Sequence, residues 1–296
     1  KEVDKRIGSE MKSVGEVMAI GRTFEEALQK GLRMLDIGVD GLQPPLICDN
    51  LKEEITSPSD ERVFALYQAL QEGVSIDQLY AWSHIDPWFL GKLQNICSCE
   101  QALSACPSLE NNVDLLRQAK QWGFSDAQIG RICGRLHNEI RVLRQKIGIV
   151  PVTKQIDTLA GEFPAQTNYL YTTYQGTTSD VQSLGSKTVM VLGSGAYRIG
   201  SSVEFDWCSV KTVQALRKQG YKTIVVNCNP ETVSTDFDES DRLYFEEITL
   251  ETVLTIYEQE KPLGIILSVG GQGANNLALA LAEHGVKILG TQAVDI

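Results

Sequence analysis

At 296 residues, 43% hydrophobic and 22% charged, the chain has ordinary globular composition and room for two domains, or for one domain with pieces of others. No apolar run approaches the roughly 20 residues that cross a bilayer, and residues 1–10 lack the apolar stretch of a signal peptide, so a membrane partner is not expected. A formal net charge of −11 repels phosphate backbones on average, which argues against nucleic acid as a partner.

The opening residues enter mid-pattern, without a cap, and are expected to belong to an internal stretch of a longer protein. Thr23-Phe24-Glu25-Glu26 then forms a capping box, and Ala27, Leu28, Leu32 and Leu35 follow at helical spacing until Gly38, Gly41 and Pro44-Pro45 end the helix. From about residue 58 to 149 the pattern is all-helical. Val63, Leu66, Tyr67 and Leu70 recur on one face. Ser75-x-x-Gln78 and Ser125-x-x-Gln128 open further helices. Trp82, Trp88, Phe89 and Leu90 are expected to supply core bulk. Residues 150–186 have no steady period and read as a long connection, its aromatics Phe163, Tyr169, Tyr171 and Tyr174 packed on a neighbour. From 187 onward strands at 188–192, 223–226, 243–245, 265–269 and 286–289 alternate with helices at 205–218, 250–258 and 275–282. That alternation predicts a doubly wound, Rossmann-like parallel sheet. The fold class expected is therefore α/β plus all-α, the helical part coming first.

Three loops at the carboxyl ends of these strands are candidate ligand sites. Gly193-Ser194-Gly195-Ala196-Tyr197-Arg198-Ile199-Gly200 follows one strand and opens a helix, where backbone N–H groups favour an anion and Arg198 adds a charge. Arg198 occupies the place of the third glycine of a dinucleotide fingerprint, and the next strand ends in Asn227-Cys228-Asn229-Pro230 without a ribose-binding carboxylate. A nicotinamide is thereby disfavoured, and no Gly-Lys-Ser/Thr makes the loop a P-loop. The polar run from Asn227 through Asn229 and Glu231 to Asp236 serves equally as a ligand loop or a capped turn. Gly270-Gly271-Gln272-Gly273 is the third loop, and all three can converge on one ligand. Met11-Lys12-Ser13-Val14-Gly15-Glu16-Val17-Met18 is ambiguous, since Lys12 and Glu16 four apart make a surface ion pair as readily as a site. His84, His137 and His284 have no partners at catalytic spacing. The seven cysteines hold no C-x-x-C pair and no zinc spacing, so no metal site is expected and the thiols of a reducing, intracellular setting are the plain reading. Residues 124–148, with Arg141 and Arg144 on the second helix, also fit a DNA-binding helix-turn-helix, against which the acidic balance weighs.

Taken in order, these motifs resemble the carbamoyl-phosphate synthetase family across essentially the whole chain. Residues 11–22 resemble the close of its first ATP-grasp unit, and Lys154-Gln155-Ile156-Asp157-Thr158 with Gln166-Thr167-Asn168-Tyr169-Leu170-Tyr171 resemble the connection into its second half. Residues 193–206, 227–236 and 270–272 resemble the domain preceding the second ATP-grasp unit. The resemblance implies four stretches: 1–47 as the end of the first ATP-grasp domain, 48–149 as a helical oligomerisation domain, 150–186 as the connection, and 187–296 as a Rossmann-like pre-ATP-grasp domain. The family makes carbamoyl phosphate from bicarbonate, ammonia or glutamine and two ATP, for pyrimidine or for arginine and urea synthesis. Carbamate formed in the first half crosses an internal passage to be phosphorylated in the second.

Carried over, Arg198, Glu204 and Glu231 would line that passage and Ser202 would keep it open. Arg198 would offer donors to a carboxylate-like intermediate, with Glu204 holding the guanidinium in place. Gly193, Gly195, Gly200, Asn227, Asn229, Gly270, Gly271 and Gln272 remain possible anion or ligand loops. The resemblance further implies ATP, Mg2+ or Mn2+, and K+ in the intact ligase. None is expected on this stretch alone, because the nucleotide-clamping parts lie before residue 1 and after Ile296. The implied partners are the rest of the synthetase chain, a glutamine amidotransferase subunit or domain, and further copies in a homo-oligomer. Gly-Ser-Gly-x-Tyr-Arg is closer to the eukaryotic pyrimidine-pathway type than to the urea-cycle type, which leans to the cytoplasm, with mitochondria as the other location. A different ATP-grasp carboxylase and a helical regulatory or nucleic-acid-binding module are the alternatives.

Overall fold

The computed structural model describes residues 5–43, 47–198 and 201–296. Pro44-Pro45, read above as a helix end, and Ile199 and Gly200 of the first glycine loop lie outside the described residues. The chain divides into two compact units. One takes in the described residues up to Ser13, Thr23–Arg33 and Ile37–Ile149; the other takes in Val14–Arg22, Met34–Asp36 and Val150–Ile296.

The first unit is helical. Helix α1 (Phe24–Met34) starts at Thr23, whose Oγ1 accepts the Glu26 N–H at 3.2 Å. Its buried face is not the apolar stripe expected. Leu32 is buried, but so are Glu25, Glu26 and Gln29, while Leu35 stands exposed just beyond the helix. Polar anchoring explains this. Gln29 donates from Nε2 to the Trp122 carbonyl at 2.8 Å and accepts the Leu42 N–H at 3.2 Å. Glu25 accepts from Asn95 Nδ2 at 2.8 Å and faces Lys92 Nζ at 3.4 Å.

Helices α2 (Leu51–Thr56), α3 (Arg62–Gln71), α4 (Ile76–Ser83), α5 (Pro87–Ser104), α6 (Val113–Gln121), α7 (Asp126–Cys133) and α8 (His137–Lys146) follow. Helix α3 buries every residue from Phe64 to Leu70 and so forms the centre of the unit. Ser75 and Ser125 each accept a backbone N–H of the third residue on, as their spacing predicted. Trp88 and Phe89 correct the expected core, being 55% and 43% exposed. The Asp86 cap and Pro87 at the helix start set them on the outer side of the first turn of α5, where they meet each other and Phe24 edge to face. The helix-turn-helix reading fails here too. Arg141 and Arg144 on α8 are buried, and Arg144 Nε lies 2.8 and 2.9 Å from the Asp126 carboxylate oxygens, so α8 does not present them to a phosphate backbone. Lys120 Nζ reaches the same carboxylate at 3.0 Å, which makes Asp126 the shared anion of two buried cations.

The second unit is a mixed α/β sheet of six strands in the order β1-β2-β5-β4-β3-β6. Strands β1 (Val152–Gln155) and β2 (Tyr169–Thr173) come from the stretch read as a long connection without a steady period. They pair antiparallel, Val152 opposite Thr173, and β2 joins the rest of the sheet in parallel. Tyr169 packs edge to face on Phe245, whereas Phe163, expected to pack, is 66% exposed. Strand β3 (Thr188–Leu192), helix α9 (Val203–Lys218), strand β4 (Lys222–Asn227), strand β5 (Arg242–Phe245), helix α10 (Leu250–Glu260) and strand β6 (Gly264–Ile266) then alternate, all strand pairs parallel.

Side chains of β3 split between the sheet faces by the two-residue period. Met190 and Leu192 join Val253 and Ile256 of α10, while Val191 joins Val213 and Leu216 of α9. The last expected helix is two pieces, α11 (Gly271–Asn275) and α12 (Ala278–Glu283). The expected strand at 286–289 is a single parallel bridge between Ile265 and Ile288. It runs close enough to β6 that a Cβ on Gly264 would lie 2.6 Å from the Lys287 carbonyl oxygen.

Candidate functional site

The three glycine- and asparagine-rich loops meet at the carboxyl edge of the parallel strands. A Cβ on Gly193 would lie 2.6 Å from Asn227 Cγ, and one on Gly270 would lie 2.5 Å from the Gly193 carbonyl oxygen. Only glycine permits that approach. Two of the loop's glycine N–H groups bond within the site. Gly193 donates to the Val226 carbonyl at 2.9 Å, and Gly195, at φ +70°, donates to Asn227 Oδ1 at 3.0 Å. Gly271 packs on the Phe205 ring, and Gln272 is exposed. Asn227 and Asn229 are fully buried. Asn227 donates to Ser234 Oγ at 3.1 Å, and Asn229 Oδ1 accepts the Glu231 N–H at 3.0 Å. These two residues therefore shape the loop that carries Glu231.

Arg198 and Glu204 are not partners, contrary to expectation. Arg198 Nη1 pairs with Asp36, 2.5 Å from Oδ2 and 3.0 Å from the carbonyl, while about a third of its side chain (32%) stays exposed. Its backbone exchanges two 2.9 Å hydrogen bonds with Ser201, the second residue before α9. Glu204 accepts instead from the Ser202 hydroxyl, and this bond, then its own backbone N–H, hold its carboxyl below the ordinary range. The reason is local: Ser202 is the residue before α9 and makes no side-chain bond to the helix backbone, so its hydroxyl is available to the carboxylate two residues on.

One contributor was missed. The 14–18 segment, ambiguous in sequence, lies against these loops. Met18 donates to the Cys228 carbonyl at 2.8 Å, and a Cβ on Gly15 would lie 2.6 Å from the Tyr197 carbonyl oxygen. It brings Glu16 against Glu231. Desolvation first, then the charge of Glu231 and a hydrogen bond shared with it, raise the Glu16 carboxyl above its ordinary value. A raised acid favours the protonated form, so the pair adds stability on the acid side and loses it as pH rises through the raised value. Replacing Glu231 with Gln is expected to bring the Glu16 titration, followed by carboxyl-carbon NMR, down toward but not fully to the ordinary value, because the desolvation remains. An unmoved Glu16 titration would show that the two carboxyls do not interact.

Among the described residues no group of three or more His, Cys, Asp or Glu side chains is placed to hold a metal ion, and no helix is long and apolar enough to cross a membrane.

Comparison with known proteins finds two matches in tandem. Residues 16–148 match the family described as carbamoyl-phosphate synthetase large chain, oligomerisation domain. Residues 185–296 match the carbamoyl phosphate synthase preATP-grasp domain. Over 98% of the chain it is 52% identical to multifunctional protein pyrABCN of Emericella nidulans, of which it spans 13%. It is 52% identical, again over 98%, to the mitochondrial carbamoyl-phosphate synthase [ammonia] of Rattus norvegicus, of which it spans 20%. It is 50% identical to the arginine-specific carbamoyl phosphate synthase large chain of Cutaneotrichosporon cutaneum, of which it spans 25%.

Proposed function

The chain belongs to the carbamoyl-phosphate synthetase large-chain family, and we propose that it is the internal stretch of such an ATP-dependent ligase that carries the carbamate passage and an oligomerisation domain. In this reading residues 187–296 are the Rossmann-like pre-ATP-grasp domain of the second half, and the helical residues before them are the oligomerisation domain. The intact protein condenses bicarbonate and ammonia, the latter from a glutamine amidotransferase subunit or domain, with two ATP. The observation that carries the passage is the meeting of the three loops with the 14–18 and 34–36 stretches, with Glu16 against Glu231 and Arg198 paired with Asp36.

Carbamate is small, anionic and short-lived in water, so a route for it must offer polar contact and keep bulk solvent out. Arg198, fixed by Asp36, offers a cation whose position does not depend on the passing anion. Glu204, Glu231 and Glu16 keep that anion from settling on it, and Ser202 leaves room. ATP, with Mg2+ or Mn2+ and K+, supplies the phosphoryl chemistry in the intact enzyme. Among the described residues no side-chain cluster fits a metal of that chemistry. The test is direct. The full-length protein, purified and given bicarbonate, ammonia and ATP with Mg2+, is expected to form carbamoyl phosphate; a folded full-length protein that forms none overturns the reading.

A further inference from the structure

We infer that Asp206 is the positioning residue that fixes the two passage loops relative to each other, an assignment that rests on the passage reading above. Asp206 lies in the first turn of α9, 2% exposed, in the same turn as Glu204. Its Oδ2 accepts the N–H groups of Val233 at 3.0 Å and of Ser234 at 3.3 Å. Those two N–H groups open the 3-10 turn Val233–Thr235, which begins just after Glu231. One carboxylate thus joins the helix start that carries Ser202 and Glu204 to the loop that carries Glu231.

The turn it grips is stiff. The Thr232 and Thr235 hydroxyls both donate to the Asn229 carbonyl, at 3.3 and 3.1 Å. The Ser234 hydroxyl takes the Asn227 amide at 3.1 Å, and the same Asn227 holds Gly195 in the first loop. Gripping a stiff turn at its first two N–H groups places the whole loop, Glu231 included. Asp206 also stands beside the first loop: burial first, then the charges of Asp206 and Glu204, raise the Tyr197 phenol. The other oxygen, Oδ1, is buried without a hydrogen-bond partner, as are Ser194 Oγ on the first loop and Asn229 Nδ2 on the second. A half-satisfied buried carboxylate is a costly way to fill space, which marks the two bonds it does make as the reason for its place. A carboxylate in the first turn of a helix is also where the helix field favours it.

The experiment compares four variants of the intact synthetase for carbamoyl phosphate formed per ATP hydrolysed in the presence of bicarbonate, and for melting temperature. Asp206→Ala frees the turn and is expected to lower that ratio about tenfold, as small misplacements of a positioned group do. Asp206→Asn keeps an oxygen that can accept both N–H groups and is expected to retain most of the ratio. Leu254→Ala, a truncation in the core between sheet and α10, is expected to lower the melting temperature without changing the ratio. Ser202→Phe reports on the passage itself. If Ser202→Phe lowers the ratio and Asp206→Ala does not, or if Asn is as damaging as Ala, the positioning role is wrong and the passage stands. If Ser202→Phe leaves the ratio intact, the passage reading falls and the role of Asp206 falls with it.

Discussion

Replacing Ser202 with phenylalanine in the intact protein is expected, on the passage reading proposed above, to separate carbamoyl phosphate synthesis from bicarbonate-dependent ATP hydrolysis. Carbamoyl phosphate synthesis should fall on the order of a hundredfold, while bicarbonate-dependent ATP hydrolysis continues within about threefold of wild type, because on that reading Ser202 serves transit and neither phosphorylation. The local structure tolerates the change. Ser202 is exposed, its backbone at φ −137° and ψ −174° is extended, and its hydroxyl makes no bond to the helix it precedes. What is lost inside the unit is the hydrogen bond to Glu204, whose carboxyl should then titrate higher. Arg198→Ala is expected to uncouple the activities as well, but it also deletes the pair with Asp36, so its effect on transit is less clean. The measurement is the ratio of the two rates. A mutant in which both fall in equal proportion would assign this loop to folding, and the transit role would have to be dropped.

The largest stability effect is expected in the helical unit, at Asp126. Its carboxylate sits 3.0 Å from Lys120 Nζ and 2.8 Å from Arg144 Nε, with all three side chains no more than 3% exposed. Desolvating three charges is offset only while the carboxylate balances the cations. Asp126→Ala removes that balance and is expected to cost about 3–5 kcal/mol, the range for breaking a buried ion pair from one side. Against a typical total of about 5–15 kcal/mol this is enough to unfold much of the unit under mild conditions. Urea unfolding of the purified chain measures it, read by tryptophan fluorescence in a Trp207→Phe background so that the signal comes from Trp82, Trp88 and Trp122 of this unit. A loss below about 1 kcal/mol would mean that water reaches the cations and that they are not desolvated as their burial indicates.

Much of the α/β unit was legible because parallel strands covered on both faces are continuous apolar runs. Val189 to Leu192 and Ile224 to Val226 can be read without knowing their neighbours. Strands β1 and β2 were not legible for the opposite reason. They are four and five residues long, carry Thr153, Lys154 and Thr172 among the apolar positions, and become strands only by pairing across an intervening loop. Trp88 and Phe89 show that aromatic size is no sign of depth, since a cap and a proline decided which way they point. The convergence of the loops followed from topology, but the partners within it did not. Glu16 meets Glu231, and Asp36 holds Arg198, across separations that no periodicity records. Glu204 was assigned to Arg198 because it was near in sequence, and its bond to Ser202, nearer still, was overlooked.

The hydrogen bond from Met18 to the Cys228 carbonyl has a consequence for how the protein is born. The 14–22 segment belongs to the second unit, and Met18 and Ile20 pack into its core beside Val191 and Phe245. A ribosome making about 5–20 residues per second reaches the far partner roughly 10–40 seconds after Met18 has emerged. For that interval the helical residues in between can gather, since their own unit ends at Ile149 and is synthesised first, while the segment ahead of them waits with its apolar side chains uncovered. The sheet can close only after its own strands have been made and this early piece has been recovered. Elongation speed and nascent-chain chaperones therefore bear on the yield of the α/β unit more than on that of the helices.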